Sequence, residues 1–83
     1  MGKEWPVSAS GKTPDEILRE YRCRITSFFS GSKTQYVVKR GILSISPSAL
    51  TLEAICEWIV ENEDFISQRA KAIDDFSQRI RDN

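Results

Sequence analysis

With 83 residues, 40% of them apolar, 12 Lys plus Arg against 12 Asp plus Glu, and no His, the chain suffices for one small domain with little core to spare. The absence of His excludes Ser-His-Asp and Cys-His catalysis and every His-containing zinc arrangement, and two Cys do not make a structural zinc site, so we expect no enzyme, no metal and no cofactor. No apolar run approaches the roughly 20 residues of a bilayer span, and the first ten residues lack the apolar stretch of a secretory signal. The expectation is therefore a cytoplasmic chain with no membrane contact.

The neutral total conceals an asymmetry. Residues 1–50 carry eight bases and four acids, whereas residues 51–83 carry four bases and eight acids. Opposite-sign halves give each face its own partner preference.

Residues 1–12, with Pro6, Gly11 and no periodicity, read as a flexible arm, and residues 13–83 as a single small domain with a C-terminal helical extension. Ser10-Gly-Lys-Thr13 has the residues that end a phosphate-binding loop, but Pro6 stands where the first glycine must be and no strand precedes it. Thr13-Pro14-Asp15-Glu16 is a helix start: a hydroxyl at the N-cap, proline at the first helical position and a capping-box glutamate. At helical spacing Ile17, Leu18, Tyr21, Ile25, Phe28 and Phe29 share one sector, which predicts a core-facing helix reaching to a C-cap at Gly31. Arg19, Arg22 and Cys23 fall on its opposite, exposed face, where the neighbouring arginines would lower the thiol pKa.

From Gln35 to Ile45 the chain is rich in β-branched and aromatic residues and predicts a hairpin. With Arg40-Gly41 as its two-residue turn, Val38 faces Leu43 and Tyr36 faces Ile45 on the apolar side. Ser46 or Ser48 then caps a second helix whose core stripe is Leu52, Ile55, Cys56, Ile59 and Val60, with Glu53, Glu57 and Glu61 as an acidic ridge outside. Helical periodicity continues to the end of the chain. Leu52, Ile59, Ile66, Ile73 and Ile80 repeat every seven residues and predict a coiled-coil-like seam, with Trp58, Phe65 and Phe76 on its flank. Unless residues 62–64 bend the helix back on the domain, that seam needs another chain to cover it.

The expected fold class is α+β: a helix, a two-stranded antiparallel hairpin, then a long or broken C-terminal helix, αββα or αββαα. The expected function is a small non-enzymatic protein–protein interaction module, an adaptor, inhibitor or assembly factor of bacterial or phage type that acts by presenting surface. Trp58, Phe65, Ile66, Ile73, Phe76 and Ile80 would be its anchors and Glu53, Glu57 and Glu61 its steering charges, toward a protein partner or a second copy in a homodimer. The alternative is a DNA- or RNA-binding regulator that meets phosphate with Arg19, Arg22, Lys33, Lys39 and Arg40.

Overall fold

Helix α1 (Pro14–Glu20) starts where the sequence places it. The Thr13 hydroxyl accepts from the Glu16 N–H at 3.3 Å while the Glu16 carboxylate accepts from the Thr13 N–H at 3.3 Å, which satisfies two orphan donors at once. The structure, a computed structural model, describes the backbone of residues 5–82 and the side chains of residues 5–78. Its element order is α1, β1 (Arg24–Ser30), β2 (Lys33–Arg40), β3 (Leu43–Ser44), α2 (Leu52–Glu61) and α3 (Glu63–Asp82). This is the expected α+β succession of helix, antiparallel strands and a broken C-terminal helix.

The first departure from expectation is at Arg22. Instead of continuing to Gly31, α1 stops after two turns because Arg22 adopts φ 57°. The Cys23 N–H then donates to Leu18 O at 2.8 Å and the Arg22 N–H to Arg19 O at 3.4 Å, the paired bonds of a Schellman cap. Residues 24–30 leave the helix as strand β1, a conformation that suits Ile25, Thr26, Phe28 and Phe29 better than a helix does. Ile25, Phe28 and Phe29 are therefore not part of a helical core stripe.

Both hairpin turns are built on a glycine. Gly31 and Gly41 have φ 67° and 64°, and each is the first central residue of a two-residue turn, Gly31-Ser32 between the paired Ser30 and Lys33 and Gly41-Ile42 between the paired Arg40 and Leu43. That is the position where a type II′ turn requires positive φ. The expected Arg40-Gly41 turn is thus displaced by one residue, because it puts glycine second. The true register sets Lys39 opposite Ser44 and brings the Ile45 N–H to Val38 O at 2.9 Å. Val38 stays on the buried face, now beside Ile45 and opposite Ile25.

The chain stays extended after β3. Tyr36 and Ala49 exchange both backbone hydrogen bonds, at 2.7 and 2.8 Å. Ser46 is not a helix cap: its hydroxyl accepts from the Val38 N–H at 2.8 Å. Thr51 caps α2 instead, accepting from the Ala54 N–H at 3.1 Å, since Pro47 and Ser48 lie in the segment still tied to β2.

Helix α2 presents Ile55, Cys56, Ile59 and Val60 to the core, but Leu52, expected at the head of the same stripe, is exposed at the first position of the helix. At Asn62 the chain breaks step. Its side-chain amide donates to Trp58 O at 2.8 Å and its own carbonyl accepts from the Ile66 N–H at 3.0 Å, so one residue closes α2 and opens α3. The break folds α3 back. Ile66 has no exposed surface and joins Ile17, Val38, Ile45, Ile55 and Ile59 in one cluster, with Ile73 packed against its edge. The seven-residue repeat is therefore an internal contact from Ile59 through Ile73 rather than a seam awaiting a second chain. The side chain of Ile80 lies outside the described residues. The cluster draws on α1, α2, α3 and the Val38 face of the sheet. At 16 Å along its shortest axis the molecule accommodates one helical layer on one sheet layer.

Candidate interaction surfaces

Three places on this scaffold combine exposed chemistry with a fixed geometry. The first is the joint of α2 and α3. Trp58 and Phe65, seven residues apart, stack edge to face with ring centroids 5.9 Å apart at 83°, an arrangement that orders both rings. Phe65 is nonetheless 44% exposed. The exposed face of α2 beside it carries Glu53, Glu57 and Glu61, with no base in the last turn. Like charges spaced i, i+4 repel, and carboxylates near a helix C-terminus oppose its dipole. Glu57 and Glu61 thus give nothing to the helix that bears them, whereas Glu53 lies in its first turn, where the dipole favours a carboxylate. Phe76 is exposed further along α3, apart from this corner.

The second place ties down part of the stretch read as an arm. The Ser10 hydroxyl donates to Glu63 Oε1 at 2.8 Å, the Ser8 hydroxyl lies 3.0 Å from that of Ser10, and the Lys12 N–H donates to Ser8 Oγ at 3.1 Å. Lys12 Nζ also meets Glu20 at 2.7 Å and Glu63 at 3.4 Å. The Lys12 of the phosphate-loop-like tetrapeptide is thus occupied by carboxylates.

The serine hydroxyls, Ser8 and Ser10, together with Lys12 hold the Glu63 carboxyl below its ordinary 4.5, and the hydrogen bond from Lys12 does the same for Glu20. A carboxyl depressed on folding contributes stability above its unfolded pKa and loses it as pH falls through the folded value. Acidification below about pH 4.5 is therefore expected to release residues 8–12 from α3. Amide chemical shifts of Gly11 and Lys12 followed against pH check this. Glu63→Gln should flatten that titration and leave the shifts of α2 in place.

The third place is the free edge of the sheet. Strand order is β1-β2-β3, so among the described residues β1 has a partner on one side only. Because Tyr36 and Val38 spend their backbone groups on residues 45–49, Ser27 and Ile25 opposite them turn their N–H and C=O groups outward. With Phe29 these residues form an open edge without proline, bulge or central charge, the usual guards against strand pairing. Phe29 is 77% exposed and Phe28 also stands out, as does Leu50 next to the residue that pairs with Tyr36. Helical spacing had hidden this edge. The run of β-branched and aromatic residues ending at Ser30-Gly31-Ser32 was the signal for it.

The basic residues of the nucleic-acid alternative are scattered. Arg19 pairs with Asp15 at 2.9 Å, and Arg22 sits in the cap of α1. Arg40 is only 14% exposed, its Nε donating to Tyr21 O at 3.0 Å and its Nη2 meeting Asp74 at 2.6 Å. Lys39 lies on the opposite face of the sheet from Arg40, directly across from Arg24, and Lys33 is six residues away at the other end of β2. Cys23 is half-buried rather than exposed, and burial pushes its thiol pKa up despite the nearby Arg40. Cys56 is a buried thiol, also raised by burial. Among the described residues no helix is long and apolar enough to cross a membrane. Comparison of the chain with protein-family models, with curated proteins and with solved structures finds no match.

Proposed function

We propose that the chain is a small non-enzymatic interaction module that docks a protein partner at the joint of α2 and α3. The observation that carries this reading is the placement of Glu57 and Glu61 at the unfavourable end of α2, beside the ordered and partly exposed Trp58–Phe65 pair. Ordered aromatics supply contact area at low entropic cost, and a rim of one charge sign steers and orients a complementary surface. The chemistry that fits is a segment with an apolar anchor flanked by Lys or Arg, whose cations relieve the repulsion within the ridge and complement the helix dipole.

A photo-crosslinking side chain at position 65, introduced into the full chain in cells that make it, tests this. It is expected to give one predominant protein adduct, reduced about tenfold or more by Glu57→Lys with Glu61→Lys. The same group at exposed Ala72 serves as control. Equal adduct patterns from the two positions, or adducts indifferent to charge reversal, refute the reading.

A further inference from the structure

The open edge of β1 is a separate surface, and its occupant can be read from the chain itself. The strand is Arg24-Ile-Thr-Ser-Phe-Phe-Ser30. Two antiparallel copies paired about a dyad at Ser27 use the whole strand, with Ile25 opposite Phe29, Thr26 opposite Phe28 and Arg24 opposite Ser30 of the other copy. The outward N–H and C=O groups of residues 25, 27 and 29 then meet one another in hydrogen-bonded pairs. Each apolar side chain faces an apolar or β-branched one. The two arginines stand about 20 Å apart along the strands and do not oppose each other.

Side-chain direction adds a second, independent fit. Ile25 points to the helical side of the sheet with its partner Val38, and Phe29, four residues along the same strand, points the same way. Phe29 projects into water there, whereas beside Ile25 the surface has a depression lined by Asp15, Leu18, Arg19, Cys23, Arg24 and Ile25. The full-strand register places the Phe29 ring of one copy across from Ile25 of the other, over this depression. Leu18, Cys23 and Ile25 give it apolar lining for a ring, and Arg19, held by Asp15 at 2.9 Å, borders it. The dyad makes the fit twice, so protrusion and recess on one chain are mutually complementary, as an isologous contact requires.

We infer that two copies of this chain associate through β1, each seating Phe29 in the recess between α1 and β1 of the other, to give one continuous six-stranded sheet. The interface lies at the small end of protein contacts, so association follows concentration. It leaves the α2–α3 corner free, and the proposal stands or falls apart from the function proposed there.

The test is solution mass of the full chain by light scattering or sedimentation across a dilution series. The mass is expected to rise from the 9.5 kDa of one chain toward twice that value. Phe29→Lys, at a position exposed in the single chain, should weaken association about tenfold or more without changing the melting temperature at high dilution. Ser27→Pro, which removes the N–H at the dyad, should weaken it likewise, and Phe65→Ala should leave it unchanged. A mass of one chain up to about 1 mM overturns the proposal. So does a doubled mass that Phe29→Lys leaves intact.

Discussion

Ile66→Asp is expected to unfold the domain. Ile66 is 0% exposed and touches a cluster drawn from α1, α2 and the sheet, so the substitution removes a buried aliphatic side chain and strands a carboxylate without a partner. Loss of the side chain alone costs about 2–5 kcal/mol, and desolvation of the carboxyl adds to it. A domain of this size has a total stability of about 4–12 kcal/mol. Far-UV circular dichroism and urea melts should find a largely unfolded chain at 25 °C. Phe76→Asp, on the same helix but exposed, should change stability by no more than about 0.5 kcal/mol. A folded Ile66→Asp chain with reduced solution mass would instead put the isoleucine repeat between chains.

Arg40→Ala is expected to cost about 2 kcal/mol. The guanidinium fork reaches from β2 to Tyr21 O at the end of α1 and to Asp74 on α3, so it gives a carbonyl otherwise reached only by the weak Cys23 thiol donor a strong partner and fastens the second half of α3 in one side chain. Most of the loss comes from the arginine side. Asp74 is 62% exposed and returns to water cheaply, so Asp74→Ala should cost under about 1 kcal/mol. Arg40→Lys should not restore stability, because an ammonium on a flexible stem does not supply two donors at fixed separation. Urea midpoints of the three variants check the order. Equal losses for Arg40→Ala and Asp74→Ala would mean that the ion pair, not the bond to Tyr21, dominates.

Both predictions turn on where the C-terminal helix goes, and the sequence settled only part of that. Local chemistry was legible where it is self-sufficient. Thr13, Pro14 and Glu16 start α1 with interactions confined to four consecutive residues. Ile55, Cys56, Ile59 and Val60 bury the face of α2 that their spacing predicts, and Val38 reaches the core even though the neighbouring turn moved by a residue. Among the candidate anchors, Trp58 and Phe65 share a flank because seven residues is two helical turns, and that survives the break at Asn62.

What tertiary structure decided is each case in which one local signal fits two conformations. Positive φ at glycine serves a helix C-cap and the first position of a II′ turn equally well, so Gly31 was compatible with a long first helix until β2 offered residues 24–30 a seven-residue ladder. That exchange moved Phe28 and Phe29 from an expected core to an open edge. Periodicity likewise told which side of α3 is apolar but not which chain covers it. The break at Asn62 answers this by turning Ile66 into the cluster that holds Ile17 and Val38, residues too distant in sequence for any local pattern to bring together. Arg40 is the plainest instance. By composition it is one more base in a basic half, and only the approach of Tyr21 and Asp74 from two other elements makes it a structural fastener rather than a charge held out to phosphate.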